Sequence, residues 1–177
     1  MVTFRLNDSM PALRRSEWSE LRKLSPALVD QRMQSYIDAG KGSCILRDPD
    51  MAKAVEKCLL GFDLQRYLLL TWVVMPNHVH VLVKTVQDWS LAVIVQGWKS
   101  VSARMIGAIC GLVSVWHKNY YDRYIRNERH LLEATRYIHN NPVVAGLTQC
   151  PEDWPFSSAR LVATIESTYH NPWGSSL

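Results

Sequence analysis

The densest apolar stretch of the chain runs from Leu68 to Val83 and is broken at Pro76, Asn77, His78 and His80. Residues Arg66 to Met75 are rich in β-branched and aromatic types, which fit a pleated, half-buried surface, and so predict a strand. Pro76-Asn77 is a turn signal, and His78 to Lys84 predicts a second strand. The pair should form an antiparallel hairpin, central in its sheet and covered by helices on at least one face. Upstream, Val2 to Leu6 reads as a short first strand.

Helical periodicity fills the rest. Asp48-Pro49-Asp50 reads as a helix start, with Asp48 as N-cap and Pro49 in the first position. Met51, Val55, Cys58, Leu59 and Phe62 follow at helical spacing, and Gly61 or the Phe62-Asp63 step should end the helix. Ser90 opens a second helix with Leu91, Ile94, Val95, Trp98, Val101 and Met105 on one side, loosened at its end by Gly107 and Gly111. Glu128 to Asn140 predicts a third, which Asn140-Asn141-Pro142 should terminate, because a residue before proline avoids the helical region. Pro11 to Ser43 is polar and helix-forming, with Gly40-Lys41-Gly42 as its stop. Ser43 to Leu46 is a short strand or a connector. Residues 113–125 are irregular and aromatic, and the end of the chain reads as a loop-rich tail. The sum is an α+β sandwich of a largely antiparallel sheet and helices.

Length then bounds the organisation. A chain of 177 residues predicts a single domain, residues 1–177, with a C-terminal tail from about 161. The apolar run is too interrupted to span a membrane, and the N-terminus carries no secretory pattern. A soluble, cytoplasmic protein is expected. The four cysteines, Cys44, Cys58, Cys110 and Cys150, lie too far apart in sequence for a zinc knuckle or a redox pair.

Charge changes the picture through its placement. Lys99, Arg104, Lys118, Arg123, Arg126, Arg129 and Arg136 outnumber Asp122, Glu128 and Glu133, a surplus equal to the +4 of the whole chain. Tyr120, Tyr121, Tyr124 and Tyr137 are interleaved with them. Cations that track phosphates and rings that stack on bases suit single-stranded nucleic acid. A solvated charged face with core tyrosines fits the same residues.

The candidate chemistry is concentrated in two places. On a strand, His78 and His80 point to one face, so two imidazoles can converge on one divalent ion while Val79 and Val81 face a packed layer. The residues alone leave open that both histidines are structural. A nucleotide-hydrolase histidine triad needs a third alternating histidine, and position 82 is Leu82. The second place is Arg136-Tyr137-Ile138-His139-Asn140-Asn141-Pro142. Tyr137 and Asn141 are four apart and share a helical face if the helix runs that far. The Asn141 carbonyl is a hard donor suited to Mg²⁺ or Mn²⁺. A core tyrosine and a helix-ending asparagine are the alternative.

Together these segments resemble the HUH single-tyrosine transposases, and within them the REP-associated tyrosine transposases. The matched stretches are Trp72 to Val83 (WVVMPNHVHVLV), Trp98-Lys99-Ser100, and Trp116 with Tyr121-Asp122-Arg123-Tyr124-Ile125-Arg126. Tyr137-Ile138, Asn141-Pro142-Val143, Ala145-Gly146-Leu147 and Trp154-Pro155-Phe156-Ser157-Ser158 continue them. The likeness covers about residues 35 to 160 and departs at His117, where relatives usually carry glutamine. It implies a ferredoxin-like (RRM-like) fold with the histidines on a central strand. It implies His78, His80 and Asn141 as ligands of Mg²⁺ or Mn²⁺, with Tyr137 as nucleophile. It also implies a single-stranded DNA hairpin, typically an extragenic palindrome, as substrate, cleaved and rejoined through a 5′-phosphotyrosine. Lys99, Arg104, Lys118, Tyr121, Arg123, Arg126 and Arg136 are the expected DNA contacts, and the protein would act as a monomer or homodimer. The alternatives are a metal-dependent phosphodiesterase that uses water and a non-catalytic DNA-binding module.

Overall fold

Strand β1 is Val2–Arg5, and Pro76 and Asn77 turn the chain back on itself between β2 (Tyr67–Val74) and β3 (His78–Thr85). The hairpin pairs antiparallel outward from Val74 opposite Val79, and β1 pairs with the other side of β3. A two-residue strand, β4 (Tyr121–Asp122), adds to β1, which gives the order β2-β3-β1-β4 with every ladder antiparallel. The computed structural model describes residues 1–10, 25, 32, 35–86 and 88–161. Most of the Pro11–Ser43 stretch and the tail beyond residue 161 lie outside the described residues.

Three helices complete the sandwich: α1 (Pro49–Leu60), α2 (Leu91–Cys110) and α3 (Glu128–Val144). The order β1-α1-β2-β3-α2-β4, with β1 beside β3, is the ferredoxin-like arrangement that the family resemblance implies. Strand parity divides the core. Phe4, Trp72, Val74, Val79 and Val81 pack under α1 and α2, while Val73, Met75 and Leu82 meet Ala134 and Ile138 of α3 on the other face. A bulge between Leu69 and Thr71 resets the parity of β2, so Tyr67, Leu69, Trp72 and Val74 all serve the first layer. The outer edge of β2 is covered, because Val74 N donates to Phe156 O and Ser158 N to Trp72 O.

The helix starts follow the sequence reading. Asp48 accepts from Asp50 N with Pro49 in the first turn, and Ser90 accepts from Val93 N. Three details refine it. Of the strand or connector expected over Ser43 to Leu46, the structure has the connector, with a 3-10 turn at Ile45–Arg47. Helix α2 is rotated so that Ile94, Trp98, Ser102 and Ile106 face inward, while Val101 is 38% exposed. Ser102 is tolerated there because its hydroxyl donates to Trp98 O and accepts from Trp116 Nε1.

The third difference bears on function. Helix α3 does not stop at Asn140; it runs through Pro142 to Val144. Proline removes one helical hydrogen bond, to the Ile138 carbonyl. The turn is held from beyond, by Gly146 N to Val143 O and Leu147 N to Pro142 O, both 2.9 Å, with Gly146 at φ +68. This Schellman closure moves the helix end past Asn141. No helix among the described residues is long and apolar enough to cross a membrane.

Trp98 ties the first layer together. It is 3% exposed, sets its ring edge-on to Tyr67 at 5.1 Å, and donates to the Tyr67 hydroxyl at 2.9 Å. Trp98→Ala should cost about 3–5 kcal/mol, the range for deleting a large buried ring. Urea unfolding measures it, and a loss below about 1 kcal/mol would contradict this packing.

Candidate active site and metal centre

His78 and His80 face α3, as their alternation with Val79 and Val81 requires. Both are fully buried, and their Nε2 atoms lie 3.0 Å apart. The backbone turn that precedes them sets the first tautomer. Asn77 Nδ2 donates to Ile37 O at 3.1 Å and to Lys41 O at 2.8 Å. Its Oδ1 therefore faces His78 Nδ1, 2.7 Å away, and can only accept. The proton of His78 sits on Nδ1, and Nε2 presents a lone pair.

His80 is set by the neighbouring strand. Thr3 lies directly across from it in the ladder, and Thr3 Oγ1 is 2.8 Å from His80 Nδ1. A threonine hydroxyl both donates and accepts. Thr3 therefore serves either tautomer of His80: it donates when the ring proton is on Nε2, facing His78, and accepts when the proton is on Nδ1, which leaves Nε2 a second bare ligand. Burial, then the adjoining His80 ring, holds the His78 imidazole well below its usual range, with Asp38 pulling the other way. A neutral imidazole is the form that binds metal.

Helix α3 brings the remaining groups. The Tyr137 ring stands edge-on to His80 with centroids 5.2 Å apart, and its hydroxyl is 3.5 Å from His80 Nε2. One turn on, Asn141 Nδ2 is 3.5 Å from the same nitrogen. Asn141 Oδ1 is buried without a hydrogen-bond partner. A buried orphan oxygen is costly unless something on this site uses it. A half-turn of the amide exchanges the two atoms and directs that hard oxygen at the imidazole pair. Two nitrogen donors and one such oxygen fit a divalent ion.

A residue that the sequence reading missed completes the cluster. Asp38 Oδ1 lies 3.4 Å from His78 Nε2 and 3.5 Å from His80 Nε2, while Oδ2 accepts from the Tyr137 hydroxyl at 2.9 Å. Among the described residues, Asp38, His78 and His80 bring ligand atoms within 4.8 Å of one another. The only sequence signal was a lone carboxylate just before the Gly40-Lys41-Gly42 stop.

Comparison with known proteins places the chain in a family. A model of the family described as transposase IS200-like matches residues 48–141, more than half of the chain. The chain belongs to the IS200-like transposase family. The chain is similar to a REP-associated tyrosine transposase of Escherichia coli K12, 32% identical over 90 residues, 49% of this chain and 51% of that protein. A Haemophilus influenzae protein provisionally named for the same group is 25% identical over 112 residues, 57% of this chain and 63% of its own length. The chain thus spans about half of the first of these relatives and under two thirds of the second. A solved structure of a REP-associated tyrosine transposase bound to a REP hairpin shares the fold, with a TM-score of 0.59 at 19% identity, covering 99% of this chain and 84% of that one.

The expected DNA contacts fall into two groups. Arg123 lines a cleft of about 210 Å³ that Tyr137, Ile125 and Ala134 share. Arg126 joins Arg123 in a neighbouring cleft of about 420 Å³. Tyr121 lies across from Thr3 at the sheet edge, and Arg136 is exposed on α3. Lys118 is exposed, but its carbonyl accepts from Lys99 Nζ at 2.8 Å. Lys99 itself is 7% exposed, and burial lowers its ammonium. Its ammonium braces the chain before β4 through that bond. Arg104 is exposed on α2, the layer on the far side of the sheet from Tyr137. His139 points away from Tyr137 and meets Ser158 Oγ at 2.9 Å.

Because Thr3 sets the His80 ring, Thr3→Val should weaken Mn²⁺ binding ten- to a hundredfold, the usual effect of removing a partner behind a ligand. Isothermal titration of the folded variant measures it, and an unchanged affinity would contradict the arrangement.

Proposed function

We propose that this chain is a metal-dependent single-stranded DNA endonuclease and strand transferase that acts on hairpin DNA through Tyr137. The observation that carries the reading is the Tyr137 hydroxyl 3.5 Å from His80 Nε2, in a buried cluster where the His78 and His80 nitrogens converge and Asn141 Oδ1 has no partner. The hairpin substrate is proposed from the solved neighbour, which was bound to a REP hairpin.

His78, His80 and Asn141 would hold Mg²⁺ or Mn²⁺. Bound there, the ion supplies positive charge against the oxygens of the scissile phosphate. The chain's own residues do the rest. Tyr137 attacks phosphorus in line; the Oη–P bond forms as the bond from phosphorus to the 3′ oxygen breaks. The phenolic proton lost is balanced by the one the 3′ oxygen takes up. The product is a 5′-phosphotyrosine, and a second 3′-hydroxyl rejoins the strand by the reverse step. A free tyrosine has a pKa near ~10, so positioning and local charge are what make it a useful nucleophile.

The strand reaches Tyr137 along the two adjoining clefts. Arg123, Arg126 and Arg129 line the outer one, and Tyr124, 82% exposed, offers a flat ring to a base. Their cations track the backbone, while Ile125 and Ala134 give the inner cleft an apolar wall.

The test is a labelled palindromic single strand incubated with Mn²⁺ and run on a denaturing gel. Label should shift to the mass of the protein, and both Tyr137→Phe and a chelator should abolish the shift. Cleavage that survives Tyr137→Phe without an adduct would instead mark a hydrolase that uses water. Tyr124→Ala should weaken single-strand binding by about 1–3 kcal/mol, the worth of one stacked base. Fluorescence anisotropy reads this, and unchanged binding would remove the outer cleft from the strand's path.

A further inference from the structure

Nothing in the family reading assigns a role to Asp38, yet its carboxylate touches every reacting group of the centre. We propose that Asp38 joins the two halves of the site: one carboxylate oxygen is a further ligand of the ion, and the other positions the Tyr137 hydroxyl. This inference rests on the metal-and-tyrosine reading above.

The geometry divides the two oxygens cleanly. Oδ1 faces the imidazole pair, 3.4 Å from His78 Nε2 and 3.5 Å from His80 Nε2. Oδ2 accepts from Tyr137 at 2.9 Å across 99 residues of sequence. Two neutral imidazoles and a neutral amide would leave a divalent ion with its whole charge. Mg²⁺ and Mn²⁺ prefer anionic oxygen, and such sites commonly combine one or two carboxylates with substrate phosphate. A carboxylate spanning ion and phenol also fixes the direction in which the hydroxyl presents its lone pairs, so metal occupancy and nucleophile alignment become one event.

The segment that carries Asp38 is held as a ligand arm must be. The helical residues 35–38 end at Gly40, with Ile37 buried. The Asn77 amide that sets the His78 tautomer also binds Ile37 O and Lys41 O on either side of Asp38. Gly42 then passes against the backbone at Asp8 with φ +99, where an added Cβ would lie 2.9 Å from Asp8 O. Ser43 N is bound by Asp8 Oδ2 at 2.8 Å. One amide therefore places both a histidine and the carboxylate opposite it. The Asp38 side chain is 20% exposed, so replacing it opens no hole in the core.

The experiment uses the full chain and titrates MnCl₂ alone, without DNA, into wild type, Asp38→Asn, Asp38→Glu and His80→Ala. Asp38→Asn should bind Mn²⁺ at least tenfold more weakly, and Asp38→Glu, which keeps the charge, within about threefold of wild type. At saturating Mn²⁺ both Asp38 variants should form the covalent adduct at least tenfold more slowly at an unchanged KM for DNA, because the second oxygen no longer meets Tyr137. Unchanged Mn²⁺ affinity in Asp38→Asn would overturn the ligand role. Adduct formation as fast as wild type, or faster, would overturn the positioning role and mark the contact as a latch on the tyrosine. If wild type binds no Mn²⁺, or His80→Ala binds it equally well, the metal reading itself fails and this inference falls with it.

Discussion

Two imidazole nitrogens face each other at 3.0 Å inside the sheet face covered by α3. If both are bare, their lone pairs repel. Only a shared proton or a cation between them makes the contact favourable, and in a buried site neither is diluted by water. Asn77 closes half of the choice by holding the His78 proton on the far nitrogen. Thr3 leaves the other half open, because its hydroxyl accepts or donates as His80 demands. The imidazole pair is thereby ready to take either a shared proton or a metal ion between its nitrogens.

The fold supplies that contact through ordinary sheet rules. Val73, His80, Thr3 and Tyr121 form one row across the four strands. Alternation aims the row at α3 and gives Val79 and Val81 to the opposite core. Helix α3 then lays Tyr137 and Asn141 over the row, one turn apart. That requires the helix to outlast Pro142, and the closing bonds at Gly146 and Leu147 let it do so.

Much of this was legible in the sequence, for a physical reason. The hairpin and the facing of His78 and His80 depend on local turn chemistry and a period of two, both written in neighbouring residues. The Tyr137–Asn141 pairing is also local, although reading Pro142 as a stop ended the helix at Asn140, four residues short of Val144. Thr3 and Asp38 were illegible because their contacts close loops of 77 and 99 residues, and nothing near either residue announces them. Strand β4 is two residues long and exists only because β1 offers it an edge. The burial of Lys99 was illegible for a different reason. A charge in a basic run reads as solvated until packing buries its stem and gives its ammonium a carbonyl.

The most direct test of the account is anomalous diffraction from crystals soaked in Mn²⁺. The account predicts one strong peak enclosed by His78 Nε2, His80 Nε2 and the Asn141 side-chain oxygen, on the Asp38 side of the Tyr137 hydroxyl. A peak elsewhere on the molecule would contradict it. So would an undisturbed 3.0 Å contact between the two histidines with no ion between them.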